Sequence, residues 1–288
     1  MTELLWTGGW DSTFRLCQLA RKECDVQPYY LILNRSCVEE EKNAIRTILP
    51  LLRSKRGVKA NIHDVQFIDY RDVAIPDDIQ AAWEQFKGPP FALGGQYRFL
   101  SVFAREHPGI ELGQERYWKK IGHLRSLLLE KGHMRVSSEG TGYFVKEDCD
   151  PAVWTLFGNM RMPISEMHER EMALLIRRWG YQDVMDHVWF CYTPVDGKPC
   201  GLCDPCLTKH KNGMDRLLGT EAIRRATLYN YLMRLPVSAK LPDERKLHKQ
   251  FQNHFLRARS LGLPCDCKSL ANMLNVEAKW LSSCKEER

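Results

Sequence analysis

The stretch LLWTGGWDSTFRLCQLA, residues 4–20, sets the tightest limit on the fold. An apolar run ends in two glycines. An aspartate and two hydroxyls follow, and then helical spacing takes over, with apolar side chains near Phe14, Cys17 and Ala20. Paired glycines give up packing and cost backbone entropy, so the turn has to do something that side chains would prevent. A strand, a Gly-Gly turn and a helix start together form an anion site. Gly8 and Gly9 let backbone N–H groups converge on one point, and the helix beginning near Asp11 adds its unpaired N–H groups and the positive end of its dipole. Thr7, Ser12 and Thr13 add hydroxyl donors, and Asp11 can hold a magnesium ion bound to phosphates. The plainer alternative is an ordinary tight turn with an Asp or Ser helix cap. The turn is not a Walker A loop, because the lysine and the four-residue gap between glycines are both missing.

The same alternation continues along the chain. ELLW predicts a short buried strand, PYYLILN (residues 28–34) a second, and ANIHDVQFIDY (residues 60–70) a third. Helices are expected after the glycine turn and through VEEEKNAIRTILPLLRSKRG, which stops at Gly57. Strand and helix alternating at this pitch predict an α/β fold, a parallel sheet with helices on both faces. Further on, FALGGQYRFLSVFARE predicts a glycine turn entering a helix. HMRVSSEGTGYF predicts a strand running into a polar loop, and SEMHEREMALLIRRWG an amphipathic helix with acidic residues early and arginines late. No internal repeat or low-complexity tract is present.

At 288 residues, one sizeable domain with a smaller attachment is expected: residues 1–213, and a helical, basic extension over 214–288. Hydrophobic residues make up 44% of the chain and its mean hydropathy is -0.41, as in soluble globular proteins. The net charge of +6 suits a polyanionic ligand such as ATP but falls short of a nucleic-acid footprint, so direct nucleic-acid binding is not expected. The short KHK cluster at residues 209–211 reads as a solvated face. Neither an export signal nor a membrane-spanning run is apparent, which predicts a cytoplasmic, reducing compartment.

In such a compartment the eleven cysteines are expected to be thiols or metal ligands. Four of them, Cys191, Cys200, Cys203 and Cys206, fall in CYTPVDGKPCGLCDPC. Closely spaced thiolates around tight turns can place four sulfurs on a tetrahedron, and their softness favours zinc. Four sulfur ligands leave no open position, which makes such an ion structural. An iron–sulfur cluster and disulfides are the alternatives. Cys17, Cys24 and Cys37 read as small buried residues or partly exposed thiols. Cys265 and Cys267 do not by themselves make a metal site. Cys149, in the polar loop VKEDCDP, is a distant candidate nucleophile.

The glycine turn resembles the SGGxDS signature of PP-loop ATP pyrophosphatases, with Thr7 replacing the first serine. WFCY (residues 189–192) and PCGLCDPC (residues 199–206) resemble the zinc-site text of the QueC family, the 7-cyano-7-deazaguanine synthases. Both motifs, in this order and at this separation, carry the resemblance over roughly residues 1–215, strongly at its two ends. It implies an adenine nucleotide alpha hydrolase-like fold using ATP, Mg2+ and Zn2+. It also implies that Thr7, Gly8, Gly9, Asp11, Ser12 and Thr13 bind the phosphates and magnesium, with Asp11 and Ser12 catalytic, and that the four cysteines bind zinc. GGQYRFL (residues 94–100) resembles the family's PGRNxxFL helix start, which makes Arg98 either a phosphate contact or a surface arginine. The implied reaction adenylates the carboxylate of 7-carboxy-7-deazaguanine and passes the acyl group to ammonia. Members of this family often pair, so a homodimer is implied as well.

The sequence also departs from the family. Only GTGYFVKEDCDP (residues 140–151) stands where DYSGYPDCR is expected, Glu169 of HEREM takes the place of the lysine in TKxEI, and residues 214–288 have no counterpart. These departures resemble the divergent members found in CBASS- and Qat-type antiphage operons. There the expected acceptor is a protein amine, encoded nearby, in place of ammonia. A deazapurine-binding module without catalysis is a third possibility.

Overall fold

The computed structural model describes residues 1–116 and 124–234. They form two compact units, Met1–Trp189 and the described part of Phe190–Arg288. Residues 235–288, with Cys265, Cys267 and most of the expected extension, lie outside the described residues. Among those described, no helix is long and apolar enough to cross a membrane.

In the first unit the order is β1 (Thr2–Leu5), α1 (Trp10–Ala20), β2 (Asp25–Ile32), α2 (Val38–Arg53), β3 (Asn61–Ile62), β4 (Gln66–Asp69), α3 (Asp77–Glu84), α4 (Gln96–Glu106) and β5 (Ile110–Leu112). Then come α5 (Leu124–Glu130), β6 (Arg135–Val136), β7 (Gly142–Tyr143), α6 (Pro151–Phe157), β8 (Met160–Arg161), α7 (Glu169–Trp179) and α8 (Gln182–Met185). The second unit contains α9 (Asp204–Lys211), a 3-10 turn (Asp215–Leu217) and α10 (Thr220–Arg234).

The expected parallel sheet is present. Six strands run in the order β3-β2-β1-β5-β8, with β4 also pairing β2, and all these pairs are parallel. β2 is buried along nearly its whole length, as a strand covered on both faces must be. Its alternation sends neighbouring tyrosines to opposite sides. Tyr29 packs edge-on against Phe103 of α4 at 5.1 Å, whereas the Tyr30 hydroxyl donates to Glu41 of α2 at 2.6 Å. One helical layer therefore holds α1, α2, α7 and α8, and the other α3, α4 and α6. The main core lies under the second layer and includes Leu5, Tyr29, Phe103, Ile110, Phe157 and Met160. Each such side chain contributes roughly 1.5–3 kcal/mol by leaving water.

Two expectations are corrected. Residues 60–70 do not form one strand but two, both on β2, with a break at residues 63–65. Val26 and Ile32 accept on this side of β2, from His63 and Tyr70, so Pro28, in the same alternation, should donate there too. It has no N–H to give. The Gln27 side chain bridges the break instead, donating to the Pro28 and Asp64 carbonyls at 3.0 Å each. The second correction concerns HMRVSSEGTGYF. It forms an antiparallel hairpin, β6–β7, whose polar tip closes through Gly140 at φ +81. Gly142 then bridges to Met162, just beyond β8.

Candidate functional site

The strand order carries a functional consequence. From β1 the chain passes through α1 to β2 on one side, and β5 later lands on the other. This reversal falls at the carboxyl ends of β1 and β5, the place where open α/β sheets bind ligands. The loop of Thr7, Gly8 and Gly9 lies there.

The loop is held from several directions. Gly8 has φ +69, and a Cβ on it would stand 3.2 Å from Ala44 Cβ, Ile45 Cγ1 and the Glu41 carbonyl oxygen, so α2 forms its floor. The Trp189 N–H donates to the Gly8 carbonyl at 2.9 Å and straps the loop from outside. Gly9 is the N-cap of α1 and supplies no side-chain cap, leaving the helix start to be satisfied from elsewhere. The Thr7 hydroxyl lies 3.4 Å from the Ser12 hydroxyl and accepts from the Gly9 N–H at 3.3 Å. Thr7, Gly8, Gly9 and Ser12 thus lie together around the turn.

The remaining predicted residues fall in different places. Thr13 is fully buried, and its hydroxyl accepts from the Trp6 indole at 2.9 Å, tying the strand end to the first turn of α1. Asp11 is half-buried. Its charge reaches Tyr97, whose phenol is pushed up to about 12, chiefly by burial and further by Asp11. Arg98 turns to α3 instead: its guanidinium lies 4.4 Å from the Trp83 ring centroid and donates to Gln80 at 2.9 Å. Glu169 is buried at the start of α7. Cys149 is buried too, and burial pushes its thiol up to about 11, which does not suit a nucleophile.

Sequence reasoning missed Gly113. It follows β5, and a Cβ there would lie 2.9 Å from both N and Cα of Ser12. Only glycine lets β5 pass so close to the start of α1. Arg15 locks the same two elements together, donating to both oxygens of Glu111 at 2.7 Å. The signal was present in IELG, two apolar residues around a glutamate and ended by glycine, but three residues are too few for a period.

In the second unit all four motif cysteines are buried, and their sulfurs lie within 4.8 Å of one another. Cys200–Cys206 and Cys191–Cys203 are 3.9 and 3.8 Å apart. A tetrahedron with metal–sulfur arms of about 2.3 Å has edges of about 3.8 Å, whereas a disulfide needs about 2.05 Å. The donor set and spacing fit a metal ion. The Leu202 and Cys203 backbone N–H groups donate to the Cys200 sulfur at 3.3 Å each, which suits a thiolate there. Gly201, at φ +78, permits the tight turn. Lys209 corrects the reading of KHK as a solvated face: one turn after Cys206 it points inward and is buried, its Nζ 5.8 Å from the Phe190 ring.

No protein-family model matches the chain. It is similar to the 7-cyano-7-deazaguanine synthase of Rhizorhabdus wittichii, 28% identical over 125 residues, which are 43% of this chain and 45% of that protein. The chain thus spans less than half the length of the curated relative it matches.

Proposed function

We propose that this protein is a QueC-like ATP-dependent enzyme that adenylates the carboxylate of a 7-carboxy-7-deazaguanine and transfers the acyl group to an amine. The observation that carries this proposal is the Gly8–Gly9 turn at the reversal point of the sheet, with Thr7, Ser12 and the uncapped start of α1 around it. Similarity to a 7-cyano-7-deazaguanine synthase supports the substrate class.

A carboxylate is a poor electrophile until one of its oxygens can leave. In the proposed reaction that oxygen attacks the α-phosphorus of ATP and pyrophosphate departs. An amine nitrogen then attacks the acyl carbon of the adenylate, and AMP leaves as a proton is lost. Loop N–H groups and the Thr7 and Ser12 hydroxyls would hold the pyrophosphate part, so that positioning and electrostatics do the work. Asp11 would hold magnesium, which supplies charge neutralisation on the phosphates. In this account Thr13 positions the first turn of α1, and Cys191, Cys200, Cys203 and Cys206 hold a structural zinc ion. Residues 1–213 carry the nucleotide chemistry, in a cytoplasmic, reducing setting.

For the acceptor we favour a protein amine, on the rewritten segment at residues 140–151, the buried Glu169 and the added residues 214–288. Ammonia is the second reading, favoured by the name of the matched relative. Incubation with ATP, magnesium and 7-carboxy-7-deazaguanine, with ammonium or with proteins encoded beside this one, separates them by mass spectrometry. AMP with the deazaguanine amide, or with the nitrile that a second ATP-dependent activation forms from it by loss of water, identifies ammonia as acceptor, and a protein gaining the acyl-deazaguanine mass identifies conjugation. AMP formation under neither condition overturns the enzyme proposal and leaves a binding module.

A further inference from the structure

Beside the loop lies a polar cluster that the steps above do not use. The Glu41 carboxylate is buried on α2, where it accepts from the Tyr30 hydroxyl at 2.6 Å, an Arg35 Nη at 2.8 Å and the Cys37 thiol at 3.6 Å. A carboxylate leaves water only where donors replace its hydration, and three do so here. Burial still pushes the Glu41 carboxyl up, against the pull of Arg35, Tyr30 and Cys37.

Arg35 follows the carboxyl end of β2, on a tight bend in which its own N–H donates to the Leu33 carbonyl at 2.8 Å. A guanidinium carries five N–H donors in a rigid fork. Glu41 occupies part of that fork and fixes its plane. The Nε–H is buried with no acceptor among the described residues, while 25% of the side chain stays open. A buried charged donor without an acceptor is costly to keep. The open quarter of the side chain can meet an oxyanion delivered from outside the chain, whose negative charge would offset that cost.

Its place in the fold says which oxyanion. β1 and β2 are parallel neighbours, so the loop after β1 and Arg35 after β2 leave the same edge of the sheet. The Glu41 carbonyl oxygen stands 3.2 Å from the Cβ position of Gly8. The residue that anchors the guanidinium is therefore also part of the loop's floor.

We infer that Arg35, held by Glu41, is a further binding residue of the loop site and donates to a phosphate oxygen of the bound nucleotide. This rests on the ATP-binding proposal above. Tyr30 and Cys37 are positioning residues that act through Glu41.

The test titrates the full chain with magnesium and ATP, then with magnesium and inorganic pyrophosphate, by calorimetry. Adenosine, which binds weakly, is followed by saturation-transfer NMR. Arg35→Gln should weaken ATP and pyrophosphate about tenfold to a hundredfold and leave adenosine unchanged. Arg35→Lys keeps the charge without the fork and should recover part of the loss. It also carries the comparison if Arg35→Gln does not fold, as judged by thermal denaturation. Equal ATP affinity in wild type and both variants overturns the role of Arg35 while the nucleotide proposal stands. An equal loss for adenosine also overturns it, since adenosine has no phosphate. A wild-type chain that binds neither ATP nor pyrophosphate overturns the nucleotide proposal, and Arg35's role with it.

Discussion

The four-cysteine knuckle and the glycine loop are built in opposite ways. The knuckle takes all four of its sulfurs from side chains within residues 191–206, and every one of those side chains is buried. The loop works through backbone and small hydroxyls, and its surroundings come from α2, β5 and residue 189, far apart in the chain. A site of the first kind depends on local spacing and on what fills it. A site of the second kind depends on the sheet being assembled in the right order. The two should therefore fail differently.

The largest effect is expected from breaking the knuckle. Cys200→Ser combined with Cys203→Ser removes two sulfurs, and structural zinc contributes on the order of 10 kcal/mol to folding such sites. Elemental analysis should show one zinc per chain lost, and limited proteolysis should open residues 190–234. Retained stoichiometric zinc in the double variant would mean that the four sulfurs are not the ligands.

Next in size is a lesion in the loop's remote support. Gly113→Ala puts a Cβ 2.9 Å from the backbone of Ser12, and either α1 or β5 must shift. A destabilisation of about 1–3 kcal/mol is expected, with weaker ATP binding in titrations, although residue 113 carries no ligand-binding side chain. Normal stability with normal ATP affinity would show that the approach of β5 does not shape the site.

Trp6→Phe should cost less, about 1 kcal/mol in chemical denaturation, because it deletes the indole bond to Thr13 and keeps an aromatic ring. Thr13→Val should cost a similar amount. Because the two share one bond, the double variant should cost less than their sum. Strict additivity would separate Thr13 from the strand end and return its hydroxyl to the phosphate role.

The smallest effect is spectroscopic. The negative charge of Asp11 helps hold the Tyr97 phenol at about 12, so Asp11→Asn should lower that value. Ultraviolet titration of the variant against wild type, with Tyr97→Phe to assign the signal, checks the direction. A phenol unmoved by the change would place Asp11 away from the 94–100 segment.

What could be read from the chain follows the same division. The β1-turn-α1 unit and the knuckle were legible because their parts are adjacent, so spacing carries the geometry. The helix after GGQ was legible from its period. The broken third strand was not, since its cause is Pro28 on the neighbouring strand. Nor was the β6–β7 hairpin, whose two-residue strands are too short to show alternation. Arg98 and Tyr97 stand side by side in one segment, yet Tyr97 packs against Phe157 and feels the charge of Asp11 while Arg98 stacks on Trp83. A helix sends adjacent residues about a quarter-turn apart, and only the packing of α3, α4 and α6 decides which way each one faces.

The sequence by itself determined the local chemistry: a glycine turn between strand and helix, hydroxyls beside it, and four sulfurs at metal-binding spacing. Backbone sterics and short-range hydrogen bonds act over a few residues, and so does the information. Only the tertiary structure decided that β5 lies beside β1, that Gly113 and Trp189 close around the loop, that Thr13 serves Trp6, and that Glu41 aims Arg35. Those choices come from burying apolar faces on both sides of one sheet, which joins residues that no spacing along the chain connects.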